Sequence, residues 1–150
     1  MAKSVVGTLD GKNRYKTEIR AGEHYLISDE PESSGGTNQG PDPIMMALGG
    51  LSACIAMTIR MYTERKGWQF DRLNVEVDTD VRRVDSEDGL TEEERNYVVE
   101  GRLRTVRKAI TVYGNLDENQ IQKIGEIAHK CPVNRMMNRN VLMKQTIRKG

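Results

Sequence analysis

The sequence has few of the residues that mark a disulfide-rich or metal-binding protein. Its 150 residues include two cysteines, Cys54 and Cys131, and two histidines, His24 and His129. Two cysteines so far apart, without a C-x-x-C or H-x-x-x-H pattern, are a poor start for a tetrahedral zinc site. A structural disulfide is not expected in a reducing compartment either. We therefore predict neither a metal nor another cofactor, and the cysteines are either inert core thiols or a redox pair.

The sequence also lacks an excess of charge of one sign. The formal net charge is +1, with acidic and basic residues interspersed. Without a basic stripe, nucleic acid and anionic membranes are poor candidates as partners. The first residues, MAKSVVGTLDGK, contain no apolar h-region. The longest uncharged stretch, residues 43–59, is shorter than the ~20 apolar residues of a membrane span. These features predict a soluble, cytoplasmic protein.

Hydrophobic residues are scarce, at 37% of the chain with a mean hydropathy of −0.64. The length is that of one domain, so we expect a single domain over residues 1–150. A chain of this size buries about two-thirds of its unfolded surface, which is enough for a core. Because the apolar residues are concentrated in one segment, the composition favours completion of the core by oligomerisation.

The first half of the chain has the pattern of strands followed by a long helix. Residues 15–20 and 23–28 alternate as strands around a hairpin turn at Ala21 and Gly22. A polar loop over residues 29–42 follows, and irregular segments of this length are often functional. Pro43 then opens a helix that runs to about Lys66, before a glycine stop signal.

The first half of this predicted helix is apolar on nearly all sides and must be covered on every side. Gly49 and Gly50 lie within it, and each costs about 1 kcal/mol of helix stability relative to alanine. Such a pair indicates close approach of another backbone, such as a second helix. Methionines cluster around both cysteines in the sequence. We interpret most of them as fillers of the core, with an adaptable apolar pocket as the alternative.

The second half returns to strands, then to a helix and a closing strand. Alternation predicts a strand over 73–81, with one face formed by Leu73, Val75, Val77 and Val81. Residues 83–97 are charged and indicate an excursion or short helix, and a strand pattern resumes over about 98–113. Asp117 and Gln120 have the spacing of a capping box. The remaining elements are a short helix over 132–139, with Cys131 as its N-cap, and a strand over 141–148. This order is typical of an α+β fold, not of a parallel βαβ sheet.

Two segments resemble the signatures of the OsmC/Ohr family. The first is GGTNQGPDP at residues 35–43, followed by ALGG at 47–50 and the Ala-Cys pair that ends at Cys54. The second is KCPV at residues 130–133, which follows the second predicted helix. Both occur in the family's order, and together with the flanking strand patterns the resemblance covers nearly the whole chain.

The resemblance implies a fold, an assembly and a reaction. It implies an OsmC-like fold, in which antiparallel sheets wrap around long central helices in an intertwined homodimer whose active sites use residues of both subunits. The best-studied members reduce organic hydroperoxides in defence against oxidative stress. A first cysteine attacks the peroxide, and a second resolves the sulfenic acid as a disulfide. A dithiol reductant, a lipoylated protein in some members, then restores the pair.

Carried over by position, the resemblance makes Cys54 the nucleophile, Cys131 the resolving thiol and Arg20 the activating cation, with Arg14 as the alternative. The local sequence around Cys131, however, favours Cys131 over Cys54 as the more activated thiol. As the N-cap of a helix, Cys131 would lie near a positive helix end, which favours its thiolate. For each of the three residues an ordinary structural role is the alternative: a packed core thiol for either cysteine, and a solvated strand-end arginine.

The sequence departs from the peroxidase pattern at one position. Peroxidase members place a glutamate about ten residues before the first cysteine, where this chain has Ile44 and Met45. Asp42, or Asp29 and Glu30, are the possible substitutes. The loss leaves a second hypothesis open, a non-catalytic or weakly active dimer that binds a small apolar ligand at its interface.

Overall fold

Three antiparallel strands begin the chain in the computed structural model, which describes residues 3–85, 89–138 and 141–149. They are β1 (Val5–Leu9), β2 (Thr17–Ala21) and β3 (His24–Ser28), in the order β1-β2-β3. The predicted hairpin is present, but its two-residue turn is shifted by one position, to Gly22 and Glu23, because Ala21 pairs with His24 and Gly22 has a φ of 65°. These strands belong to the first of two compact units, Met1–Gly50 and Leu51–Gly150. The expectation of a single domain stays a prediction.

The loop over residues 29–42 contains one turn of 3-10 helix, Glu32–Ser34. Two of its glycines are needed for close backbone approach. A Cβ at Gly36 would lie 1.8 Å from the carbonyl oxygen of Glu30, and one at Gly40 would lie 2.3 Å from that of Ile27. The loop is therefore folded tightly against its own start and the end of β3.

The long helix α1 spans Pro43–Lys66, as predicted. It begins where Asp42 Oδ1 accepts a hydrogen bond from the backbone N–H of Met45 at 2.9 Å, which is an N-cap. It ends at Gly67, whose φ is 68°. The buried face of α1 repeats every fourth residue and consists of Leu51, Ile55, Ile59 and Thr63. By length and composition alone α1 could also cross a membrane, with a mean hydropathy of 1.7 in its most apolar window.

Residues 43–50, the first two turns of α1, are mostly not covered by the described part of the chain. Ile44 and Met45 are 49% and 60% exposed, and Gly49 and Gly50 have no atom within 4 Å of a would-be Cβ. The expected close approach of a second backbone is therefore not made within the described residues. Most of the methionines near the cysteines in the sequence are exposed in the single chain and do not fill its core; these are Met45, Met57, Met61, Met136 and Met137.

The second sheet has the order β4-β6-β5, with β4 at Arg72–Arg83, β5 at Val98–Val99 and β6 at Arg102–Tyr113. A short helix, α2 (Glu92–Arg95), lies between β4 and β5 in the predicted excursion, of which residues 86–88 fall outside the described residues. Leu73, Val75 and Val77 face the core as predicted. Val81 does not, and is 44% exposed, because the core cluster reaches only as far as Val77 along β4.

Two helices follow the sheet, α3 (Glu118–Ala128) and α4 (Pro132–Asn138). The capping box of Asp117 and Gln120 is confirmed, with both hydrogen bonds at 2.8 Å. The last predicted residue of α4, Arg139, lies outside the described residues. The predicted closing strand is not formed, since residues 141–149 have no regular secondary structure. A strand requires a hydrogen-bonded neighbour, and the described residues supply none there.

Candidate active site

Cys54 and Cys131 meet in the core of the second unit. Cys54 lies on α1 beside the fully buried Ile55, and is itself partly buried. Cys131 is fully buried at the junction of α3 and α4. Both belong to one apolar cluster, in which α1 and α3 pack with the inner face of β4 and β6. The Cys54 side chain packs against the buried cluster that contains Cys131, and both residues are free thiols.

Cys131 is the N-cap of α4, as predicted. Its sulfur accepts a hydrogen bond from the backbone N–H of Asn134 at 3.2 Å. Its carbonyl oxygen accepts the first helical bond, from the N–H of Arg135 at 3.1 Å. Helix N-termini carry partial positive charge, and this contact stabilises a thiolate relative to a thiol.

Burial outweighs that contact in setting the protonation of Cys131. Desolvation raises the pKa of the Cys131 thiol above its ordinary value, and the amide of Asn134 lowers it by less. The neighbouring Cys54 side chain raises it further. The interpretation of Cys131 as the thiol activated by its helix is therefore wrong, since the resting state in which Cys131 keeps its proton is favoured.

The sequence analysis did not identify two polar residues next to the cysteines, Asn134 on α4 and Lys108 on β6. The side chain of Asn134 is buried, and its Nδ2 donates to the carbonyl oxygen of His129 at 3.0 Å. Its Oδ1 accepts a hydrogen bond from the ammonium of Lys108 at 2.8 Å. Lys108 shares its face of β6 with Ile110 and Val112, which was a readable signal, because residues two apart on a strand point to the same side.

The candidate arginines lie in the first unit. Arg20 is an exposed residue of β2, paired in register with Val6 on β1 and Tyr25 on β3. Arg14 donates from Nη1 to the carbonyl oxygen of Gly35 at 3.0 Å, so it is bound to the loop that precedes α1. Activation of Cys54 by Arg20 stays a prediction, with Arg14 as its alternative.

Asp29 is unsuited to replace the missing glutamate, because its carboxylate is already occupied. The group is buried, and its oxygens accept bonds from the Thr37 hydroxyl at 2.6 Å and from three backbone N–H groups, those of Glu30, Thr37 and Gln39. The Thr37 hydroxyl makes the largest contribution to lowering the pKa of Asp29. Asp42 caps α1 through one oxygen, as described above, and is partly occupied too.

The site's two signatures, apart from Gly35, fall within a region that matches a known family. Residues 36–145 match the family model of the OsmC-like proteins. This chain belongs to the OsmC-like protein family. No curated protein matches the sequence at the level that would make it a relative.

Solved structures of OsmC-like proteins share the fold. An OsmC-like protein from Mycoplasma pneumoniae has a TM-score of 0.68 at 17% identity, over 91% of this chain and 87% of that one. An organic hydroperoxide resistance protein from Elizabethkingia anophelis has a TM-score of 0.64 at 17% identity, covering 93% and 90%. An OsmC-like protein of unknown function from Vibrio cholerae has a TM-score of 0.63 at 10% identity, covering 92% and 94%. At such identities the likeness shows the fold alone.

Proposed function

We propose that this OsmC-like protein is a thiol peroxidase that reduces organic hydroperoxides with Cys54 and Cys131. The packing of both thiols into one apolar cluster is the observation that carries the proposal. An apolar surrounding suits an organic hydroperoxide better than hydrogen peroxide. Similar folds named organic hydroperoxide resistance proteins add support.

The reaction needs two sulfur atoms in sequence. The Cys54 thiolate attacks the peroxide, the O–O bond breaks, and the alkoxide leaves and is protonated to an alcohol, so that Cys54 becomes a sulfenic acid. Cys131 then transfers its proton to the sulfenic hydroxyl as its sulfur attacks the Cys54 sulfur, so that the S–O bond breaks, the S–S bond forms and water leaves. A dithiol reductant, such as a lipoylated protein, reduces the disulfide and restores both thiols.

The protonation of Cys131 fits a resolving role. A resting Cys131 that keeps its proton does not compete with Cys54 for the peroxide, because the thiolate is the nucleophile. The proton is then available to the sulfenic hydroxyl that leaves as water during resolution. The raised pKa of Cys131 therefore supports the division of labour between the two cysteines.

The proposed working form is a cytoplasmic homodimer. The mostly uncovered residues 43–50 of α1 support a second copy as their cover, since an exposed apolar helix face is costly in water. The glycine pair on that helix leaves room for close contact. The closing strand expected over 141–148 would find its hydrogen-bonding partner in such an assembly.

A peroxide-consumption assay tests the activity. With dithiothreitol or dihydrolipoamide as reductant, we expect turnover of cumene hydroperoxide to exceed that of hydrogen peroxide. Cys54→Ser should abolish consumption, and Cys131→Ser should leave one turnover that ends in a sulfenic acid on Cys54. Mass spectrometry after one equivalent of peroxide should find the Cys54–Cys131 disulfide in the unsubstituted protein. Peroxide consumption that Cys54→Ser leaves intact would contradict the mechanism.

The second candidate is a non-catalytic or weakly active dimer that binds a small apolar ligand. The observation that favours it is the absence of a free carboxylate at Ile44 and Met45, together with the exposed methionines on α1 and α4. Unsubstituted protein that consumes no peroxide with either reductant, yet binds an apolar fluorescent probe with one site per chain, would favour this candidate over the peroxidase.

A further inference from the structure

Lys108 is an unusual residue for its position. It lies on the core-facing side of β6, beside Ile110 and directly across from Val77 of β4. It is partly buried there. A lysine on an apolar sheet face loses hydration, and such a cost is normally offset by a carboxylate. In the described part of the chain, the Lys108 ammonium makes one polar contact, and that contact is the neutral Oδ1 of Asn134 at 2.8 Å.

Asn134 connects this ammonium to the thiol centre. The residue that accepts from Lys108 through its side chain is also the one whose backbone N–H donates to Cys131 Sγ at 3.2 Å. Its remaining side-chain donor is held by the carbonyl oxygen of His129. Lys108 and His129 thus fix the Asn134 side chain between them, and with it the first turn of α4 that holds the sulfur.

We propose that Lys108 is a positioning residue for Cys131. Through Asn134, Lys108 holds the first turn of α4 against the Cys131 sulfur. Its ammonium also places a positive charge on the side where a Cys131 thiolate forms. The inference rests on the proposed function for its meaning in catalysis. It concerns the return step, in which the reductant attacks Cys54 Sγ, the S–S bond breaks, and Cys131 leaves as a thiolate that later takes a proton. A leaving group departs faster when its thiolate is stabilised.

Few other charges face Cys131. Cys54 approaches it from α1, and β4 presents the apolar Val75 and Val77. The side chains of His129, Lys130 and Arg135, at the end of α3 and on α4, are exposed. Arg107 points to the opposite face of β6, where it pairs with Asp78 at 2.6 Å and Asp80 at 2.9 Å. Lys108 is therefore the cation that the described hydrogen bonds link to Cys131, through Asn134.

The test is a titration of Cys131 in the Cys54→Ser background, where it is the single thiol of the chain. Thiolate absorbance against pH gives its midpoint without requiring access to the buried sulfur. Lys108→Gln keeps a hydrogen-bond donor for Asn134 but removes the charge. It should raise the midpoint, so that about threefold to tenfold less thiolate is present at neutral pH. Lys108→Arg should restore the original value.

Arg107→Met is the matched control, since it removes a cation from the neighbouring position on the other face of β6. It should leave the midpoint of Cys131 unchanged. A Cys131 midpoint that Lys108→Gln does not move overturns the proposal, whatever the substitution does to melting temperature. Because the titration requires no peroxide, its result stands apart from the peroxidase assay, whose failure would instead count against the proposed function.

Discussion

At the residue scale, the position of the missing glutamate can be tested most cleanly at Ile44. With Asp42 as the N-cap of α1, Met45 is the third helical residue, and a glutamate there would fold back onto the cap as a capping box. Ile44, which is 49% exposed, has no such alternative. A carboxylate at Ile44 is therefore the better candidate to orient an arginine toward Cys54.

We predict that Ile44→Glu accelerates alkylation of Cys54 at neutral pH about threefold to tenfold in the Cys131→Ser background. An ordered cation near a thiol favours its thiolate, and without the carboxylate the ordering of an arginine costs up to ~2 kcal/mol of side-chain entropy. Iodoacetamide labelling against pH measures the effect, with Ile44→Gln as the uncharged control. If Arg20→Ala, introduced into the Ile44→Glu variant, removes the acceleration of alkylation, Arg20 is the activating arginine. If Arg14→Ala removes it instead, Arg14 is. Equal acceleration by Ile44→Gln would exclude the electrostatic explanation.

The stability of the loop over residues 29–42 should depend on pH through the carboxylate of Asp29. Hydrogen bonds, first from the Thr37 hydroxyl, place the pKa of Asp29 below its ordinary value of about 3.9. Because the folded-state pKa is lowered, the stabilisation is complete above the unfolded value and is lost as the pH falls through the folded one. We predict that Asp29→Asn lowers the melting temperature at pH 7 by several degrees, and that the difference shrinks in acid. Glu30→Gln is the control, and a difference that persists unchanged below pH 3 would contradict the prediction.

The residues of the site differ in how far the sequence could define them. The capping role of Cys131 depends on neighbours within three residues and was predictable. Its raised pKa depends on burial among side chains of α1 and α3. The buried residues of these two helices are more than 60 residues apart in the sequence, so a local pattern cannot predict that burial. Lys108 was overlooked because a lysine is expected at the surface, although its spacing from Ile110 and Val112 indicated the inner face.

At the element scale, α1, α3 and α4 lie close to where the sequence predicts them. The hairpin of β5 and β6, by contrast, was predicted as one strand. Its turn residues are Glu100 and Gly101, both in the left-handed region with φ of 51° and 68°. Such turns favour Asn-Gly or Asp-Gly. Glutamate at the first position concealed the signal, because few residues other than glycine and asparagine adopt this conformation readily.

The same turn predicts a stabilising substitution. Glu100→Asn should raise the free energy of unfolding by about 0.5–1 kcal/mol, because asparagine tolerates the left-handed conformation better than glutamate. Urea denaturation measures the change. Gly101→Ala is the opposite case and should lower the free energy of unfolding by about 1 kcal/mol. A Glu100→Asn protein no more stable than its parent would show that the turn is not under strain.

At the scale of the whole molecule, several apolar surfaces have no cover within the described part of the chain. Tyr25 and Leu26 are neighbours on β3 and point to opposite faces, yet they are 76% and 47% exposed. All five residues of β1 are exposed as well. Leu142, Met143 and Ile147 in the C-terminal segment are 80% or more exposed. A single chain of this polarity leaves too much apolar surface in water, and a second copy is the cover that the family resemblance implies.

The proposed approach of two α1 helices at Gly49 and Gly50 predicts a substitution that should dissociate the proposed dimer. If two copies cross at Gly49 and Gly50 as proposed, Gly50→Leu should shift the protein from dimer to monomer in sedimentation at micromolar concentration, because leucine would separate the two helices. Within one chain the new side chain meets open space, with no atom within 4 Å of the Cβ position, and leucine favours a helix over glycine by about 1 kcal/mol. The fold of each subunit should therefore survive, as circular dichroism would show.

Gly125→Leu supplies the matched control for this experiment. Gly125 is also a helical glycine with open space around its Cβ position, but it lies on α3 and not on α1. We expect Gly125→Leu to remain dimeric. If the unsubstituted protein sediments as a folded monomer at micromolar concentration, the intertwined assembly is wrong. If Gly125→Leu dissociates as readily as Gly50→Leu, the contact between copies does not centre on the glycine pair of α1, and a different face must bring the two chains together.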